Sequence, residues 1–468
     1  MQAIDAHNGG SVPGQQTGAP GEVAAACAAA IFRMCDTPAD LRALLGRMIL
    51  GLDACLSAQV NELIEHPRFK ALESVWRGTE QVVAAGAGSP DIRIKMFDQT
   101  WSELSRDLQS GLDNRRSVSY RNIVMQELDT SGGEPFGVMF VDHGLSLSID
   151  NEYDDFHTAQ LLCDLGAAAA CPVILGVSPD FFGENDAAWV TNHRRIASIL
   201  KSEDYRSWHA LRHHANARFL GVAWPEVLMR GRYEDCDAGF PFHQWPSQGG
   251  GVWAQGGIAF LCTIIAEFRR CAWFGFLKMV GNGAGEGAVV SLAATPIPAG
   301  SSRAEVARLR LTRGTGQFLS EQGLIPLCES LKSHNLYFVG NRSVTECRGE
   351  AVCEVLTQIQ SVLIACRMVH YLKVLIRGLI GQIKSASECE VILNNWLEKY
   401  CANVEDGAPE VLARYPLRSA RAQVVQNGPG HAARFTCVID IRPQYQVDNL
   451  LGDISFTTDF RPDARRTS

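Results

Sequence analysis

The sequence predicts a mixed α/β protein: a helical N-terminal region, a central α/β domain, and a C-terminal part in which helices give way to antiparallel strands. Three observations carry this reading. Apolar residues recur at helical spacing from Leu41 to Ile64. From about Glu134, short β-branched runs alternate with helical ones. After Ala420, apolar residues fall at every second position. The boundaries drawn from these shifts are a flexible tail over 1–36, a helical region over 37–130, a central domain over 131–348 and a C-terminal domain over 349–468.

The tail contains Gly, Pro and Gln, with neither a basic start nor an apolar stretch, so it does not read as a signal peptide. A helix is expected from Thr37, which is placed as N-cap with Pro38 at the first helical position and Asp40 within capping reach. Leu41, Leu44, Leu45, Met48, Leu52, Leu56, Val60, Leu63 and Ile64 give it one apolar face until Pro67 ends the pattern. A second helix carries Phe69, Leu72, Val75, Trp76, Val82 and Val83. "PFGVMFVDHG", "DDFHTAQLLCDLGAAAA" and "CPVILGVSP" then read as strand, helix and strand, a βαβ unit. "ARFLGVAW", "WFGFLKMV" and "GAVVSLA" are further strand candidates, and "GGIAFLCTIIAEFRRCA" is an apolar helix. A long helix is expected from Ala351 to about Lys384, and another from Ser387 to Cys401, with Ser387 and Glu390 forming a capping box. Three strands close the chain, marked by the alternation of Ala420, Ala422 and Val424, of Phe435, Cys437, Ile439 and Ile441, and of Ile454, Phe456 and Phe460.

With 468 residues and 46% of them apolar, the chain can bury a large core. Its net charge of -8 and the lack of any Lys/Arg stripe argue against nucleic acid as a partner. The 15 cysteines are scattered, odd in number and never spaced Cys-x-x-Cys, which fits buried thiols in a reducing cytosol. The most membrane-like run, Val355 to Cys366, has 12 residues, short of the ~20 needed to span a bilayer, so no membrane insertion is expected.

No motif specifies chemistry. The run "KMVGNGAGEGAVVSL" has glycines at 281, 283, 285 and 287, but it joins two strand-like segments and lacks the Lys-Ser or Lys-Thr pair and helix of a phosphate loop. His209 and His213 are spaced as metal ligands on one helix face, without a carboxylate or Cys between them. Ser178 lacks the second Gly of a nucleophile elbow, and Asp142 and His143 are neighbours in sequence rather than members of a triad. No catalytic residue, cofactor or metal is expected.

Several stretches, in order, resemble the large sheath subunit of bacterial type VI secretion systems, the VipB/TssC/ImpC/EvpB family. They are "LSAQVNELIEHPRFKALESVWRG", "EPFGVMFVDH", "CPVILGVSPDFFG", "SEDYRSWHALRHHANARFLGVAWPEVLMR", "SEQGLIPL", "VHYLKVLIR" and "YPLRSARAQV". The resemblance covers roughly Leu45 to Phe460, and it extends to the glycine-rich run, which in this family binds no nucleotide. Departures from the family pattern occur at Thr79, Glu226, Ala254, Gly378 and Leu379, so that charged interface positions look altered.

The resemblance implies a phage-tail-sheath-like fold and a mechanical role in the bacterial cytoplasm. The implied partners are a small sheath subunit of the VipA/TssB kind, further copies of this chain in a helical sheath, an inner Hcp tube, a baseplate and a ClpV-type AAA+ ATPase. It also implies that the helix before the terminal strands faces the tube, with Glu388, Glu390 and Glu398 as contacts. Strands around Val424, Phe435, Cys437, Ile439 and Ile441 are expected to pair with neighbouring subunits, since strand addition links rigid bodies through main-chain hydrogen bonds. Two alternatives stand beside this one: a non-assembling paralogue that caps or regulates a sheath, and an α/β enzyme, which a pocket of convergent polar groups would favour.

Overall fold

The computed structural model describes residues 29–30, 33, 35–110, 114–148, 152–183, 192–233, 236–237, 239–245, 251–279, 290, 306–330, 335–347, 351–379, 385–402, 412–427, 434–444 and 454–460. The chain divides into two compact units, Met1–Phe69 with Arg232–Gly250, and Lys70–Gly231 with Gly251–Ser468.

The first unit is built on helix α1 (Pro38–Glu65). It starts as its sequence requires: Asp40 N donates to Thr37 Oγ1 at 3.2 Å, and Thr37 N donates to Asp40 Oδ2 at 3.0 Å. Ser57, Asn61 and Glu65 lie one turn apart on one ridge and hold the segment around a short hairpin, β5 (Cys236–Asp237) and β6 (Pro241–Phe242). Ser57 Oγ donates to Pro241 O at 3.0 Å, Asn61 exchanges two bonds with the main chain of Trp245, and Gln244 donates to Glu65.

The second unit takes in α2 (Pro67–Gly86) from Lys70 onward, then α3 (Trp101–Gln109), capped by Thr100 and Glu103. A single turn over Val118–Tyr120 runs into a π-helix over Arg121–Leu128. The expected βαβ unit follows as β1 (Met139–Leu145), α4 (Asp155–Ala169) and β2 (Val173–Val177), with β1 and β2 parallel. Asp154 caps α4 by accepting from Phe156 N at 2.9 Å, and Ala170, at φ 48°, turns the chain back into β2. Helices α5 (His193–Leu200) and α6 (Arg206–Arg212) lead to β3 (Leu220–Trp224). Strands β4 (Val227–Arg230) and β7 (Val252–Ala254) pair antiparallel ahead of α7 (Gly257–Cys271). After α8 (Arg313–Glu321), strands β8 (Ile325–Glu329) and β9 (Leu336–Phe338) complete a sheet of order β1-β2-β3-β8-β9, parallel except for β9.

The strand period of two divides the core between the two faces of this sheet. Ile174, Ala223, Ile325, Leu327 and Phe338 pack on the face that carries Ile258 and Phe260 of α7. Val173, Leu175, Val177, Val222 and Cys328 pack on the other, with Leu162 of α4 and Trp208 of α6. Both faces are covered, which explains why β2 reads as an unbroken apolar run.

The C-terminal part holds α9 (Ala351–Leu356), α10 (Ile359–Leu379), α11 (Ala386–Glu398) and a meander of β10 (Leu417–Asn427), β11 (Arg434–Pro443) and β12 (Ile454–Phe460) in that sheet order. The three terminal strands therefore stand where the alternation places them.

Four expectations are corrected. The long helix from Ala351 is two helices. Ser343 N donates to Thr357 O at 2.6 Å and Ile359 N donates to Asn341 O at 2.8 Å, so the helical ladder is interrupted at Thr357–Gln358. Helix α11 is capped by Ser385, which accepts from Glu388 N at 3.2 Å, and not by Ser387. "WFGFLKM", the described part of "WFGFLKMV", is largely buried but irregular: Phe276 N donates to the Glu267 carboxylate at 2.9 Å in place of a strand ladder, and a Cβ at Gly275 would lie 2.6 Å from that of Ala413. By length and composition, α1 and Ile359–Gly378 of α10 could each cross a membrane, so the longest apolar stretch is not the 12-residue run. Two thirds of the α10 stretch is buried in the core, whereas none of α1's apolar window is.

Of the remaining strand candidates, "GAVVSLA" lies outside the described residues except for Val290, whose amide donates to Leu336 O at 2.9 Å. Gly281 to Gly287 lie outside them as well.

Candidate assembly surfaces

Helix α11 presents one wet face. Glu388, Val391, Asn395 and Glu398, at positions i, i+3, i+7 and i+10, are exposed, while Cys389, Leu393 and Leu397 are buried under them. Glu390 differs from the other two acidic residues singled out by the sequence. It is half-buried, and its Oε2 accepts from Val424 N at 3.1 Å, so this carboxylate ties the helix to β10 and is not presented outward.

The strand residues named as inter-subunit contacts pair and pack within the chain itself. Val424, Cys437, Ile439 and Ile441 lie in the chain's own core. Strand β11 pairs with β10 on one side and β12 on the other, so neither of its edges is open to another subunit. Phe435 pairs with Gln426 and Phe460 through the main chain.

Sequence reasoning missed a different surface. Along α1, Leu45, Ile49, Leu52, Leu56 and Leu63 are exposed on one stripe at alternating three- and four-residue steps, with a seven-residue gap before the last. Trp245, held through its main chain by Asn61, is 61% exposed. In the other unit, α2 exposes Leu72, Trp76 and Val83. An isolated exposed Leu means little, but a heptad-spaced apolar stripe is the form a helix takes when another helix packs against it. The signal was present in the sequence as the periodicity of α1; periodicity alone does not say whether the stripe faces the chain's own core.

The residues tested for chemistry are used structurally. The ring of His209 bonds to Leu200 O at 2.7 Å, and His213 lies 3.2 Å from the Glu346 carboxylate. Ser178 donates to Asp180 two residues on. His143 stacks on Trp101 with centroids 3.9 Å apart, and both donate to the buried Asp155 carboxylate, at 3.0 and 2.8 Å, which fixes the start of α4 against β1. Among the described residues no group of three or more His, Cys, Asp or Glu is placed to hold a metal.

The electrostatics are those of a structural core. Burial pushes the thiols of Cys262, Cys328, Cys366 and Cys437 up to about 12, so they stay protonated and unreactive. Burial also raises the Glu226 carboxyl, against the opposing pull of Arg308, with which it forms an ion pair. Ala254 is buried in β7. Of the departures from the family pattern, Ala254 is thus an internal position.

Residues 46–345 match the VipB family, described as EvpB/VC_A0108, tail sheath N-terminal domain, and residues 349–460 match its tail sheath gpW/gp25-like domain. The type VI secretion system sheath protein TssC1 of Pseudomonas aeruginosa is 25% identical over 425 residues, 86% of this chain and 83% of that protein. A sheath tail protein of Desulfitobacterium hafniense aligns at a TM-score of 0.32 with 7% identity, over 66% of this chain and 62% of that one. One of Listeria innocua aligns at 0.25 with 8% identity, over 66% of this chain and 60% of that one. Two consecutive sheath domains thus account for nearly all of the sequence from Gly46 to Phe460, and the chain belongs to the VipB/EvpB tail sheath family, the large-subunit family of type VI secretion sheaths, whose members are structural proteins and not enzymes.

Proposed function

We propose that this chain is a working large subunit of a type VI contractile sheath. In this reading it pairs with a small sheath subunit of the VipA/TssB kind, and the heterodimers polymerise in the bacterial cytoplasm around an Hcp tube, starting from a baseplate. Contraction drives the tube outward, and a ClpV-type AAA+ ATPase recycles the spent sheath. The observation that carries the reading is the presence of both sheath domains in one chain, in family order, over 46–345 and 349–460.

Two features support it. The apolar stripe of α1 has the spacing of a helix-packing seam, and the small subunit is the partner that would cover it. The exposed face of α11, with Glu388 and Glu398, is the surface offered to the inner tube. The work is mechanical: rigid bodies rotate between two packings while their links hold. Co-expression with the small subunit followed by electron microscopy tests the reading. Tubes are expected. A stable heterodimer that forms no tubes under any condition would instead make the chain a capping or regulatory paralogue.

A further inference from the structure

The first family match ends at residue 345 and the second begins at 349, and the segments on either side of that border are joined by buried polar groups. Arg342 and Gln358 form an antiparallel bridge, closed by the main-chain bonds from Ser343 N to Thr357 O and from Ile359 N to Asn341 O. Arg342 is partly exposed and pairs with Glu354 of α9, while Asn341 and Ser343, before and after it, are fully buried. The alternation puts these two side chains on the inner face of the joint.

Several buried polar side chains there find protein acceptors. Gln360 Nε2 donates to Gly275 O at 2.8 Å, Ser361 Oγ to Val355 O at 2.7 Å and Thr357 Oγ1 to Glu354 O at 2.9 Å. Three oxygens do not. Asn341 Oδ1, Ser343 Oγ and Thr345 Oγ1 are buried with no bonding partner among the described residues. Two other buried side-chain atoms share that condition, but they stand apart: Trp208 Nε1 lies among aromatic rings and Gln255 Oε1 lies against Gly176. The orientation of Asn341 follows from its neighbour. Gly275 O requires the amide nitrogen of Gln360, so Gln360 Oε1 is the atom left to accept from Asn341 Nδ2 at 3.5 Å. Asn341 Oδ1 therefore points elsewhere and needs a donor.

We propose that the joint between the two sheath domains encloses ordered water, bound by Asn341 Oδ1, Ser343 Oγ and Thr345 Oγ1. Water donates to the amide oxygen and exchanges bonds with either hydroxyl, which supplies the roughly two to four partners that a buried water needs. A cation does not fit, because the three oxygens are neutral and guanidinium groups stand beside them. Arg342 lies between Asn341 and Ser343 in the chain, and Arg212 Nε donates to Val344 O at 3.1 Å. An anion does not fit an amide oxygen, which only accepts. The bridge and its water fix one register between residues 341–345 and the start of α10, because polar groups satisfied in one arrangement are orphaned in any other. The site exists whether or not the chain assembles.

Thr345→Val and Ser343→Ala each remove one hydroxyl with little change of shape. If water bridges these groups, each change takes a partner from it, and the folded-to-unfolded ratio of the full chain in urea should fall by about fivefold. If the oxygens are dry, removing an unsatisfied hydroxyl relieves a penalty, and the ratio should hold or rise; that result would overturn the proposal. A density map of the wild-type protein that resolves ordered water should show a peak within hydrogen-bond distance of Asn341 Oδ1 and of at least one of the two hydroxyls. A map without that peak, or one in which Ser343 or Thr345 bonds directly to Asn341 Oδ1, would also overturn it. If the variants fail to fold, the wild-type map decides alone.

Discussion

Arg230, at the end of β4, meets Glu73 of α2 through two bonds, Nε to Oε1 at 2.6 Å and Nη2 to Oε2 at 3.0 Å, and both side chains are largely withdrawn from solvent. Burial works to raise the Glu73 carboxyl, but Arg230 and Arg77 together outweigh it and hold the group below its ordinary range. Glu73→Ala would take the carboxylate partner away from the buried Arg230 guanidinium, at a cost of about 3–5 kcal/mol. Urea denaturation monitored by tryptophan fluorescence should show this as a lower midpoint. A loss under about 1 kcal/mol would mean that water reaches Arg230.

The stripe on α1 predicts a separation of folding from pairing. Ile49→Asp with Leu56→Asp changes two exposed side chains, so the stability of the chain should move by no more than about 0.5 kcal/mol per site. Capture of the small subunit in a pull-down should be lost. A variant that still pairs at wild-type affinity would remove α1 from the interface.

For the tube, Glu388→Lys with Glu398→Lys should reduce co-assembly with Hcp while leaving the heterodimer intact, because both side chains are exposed. Glu390→Lys belongs to a different class. It removes the acceptor of Val424 N, and its effect should appear in thermal stability before it appears in tube contact. Unchanged co-sedimentation of the double variant with Hcp would assign the acidic face to solvent.

A pH dependence follows from His370. Burial lowers the pKa of this ring, which donates to Ala169 O at 3.0 Å from inside the core. A depressed histidine pKa contributes stability that is fully present above the unfolded value of about 6.5 and is lost as pH falls through the folded one. Melting temperatures should therefore decline between pH 7 and pH 5 by more in the wild type than in His370→Gln. Parallel pH profiles would show that His370 protonates without cost.

Much of the fold is legible because its determinants are local. Thr37, Pro38 and Asp40 start α1 whatever surrounds them, since a capping box is closed within four residues. The periods of two and 3.6 placed β1, α4, β2 and the three terminal strands, because alternation is a property of the backbone. The family resemblance was legible for a similar reason: it rests on the order of short stretches. What only the tertiary structure decided are choices between equally good local options. Ser385 and Ser387 can both cap a helix, and the packing of α11 on β10 selected Ser385. A continuous helix from Ala351 is locally sound, yet Asn341 and Ser343 break it by taking main-chain groups of Ile359 and Thr357. Alternation states which side chains of a strand share a face and is silent about which edge is covered. That edge is set by Asn394 meeting Ala422, 28 residues away, a contact that no local pattern encodes.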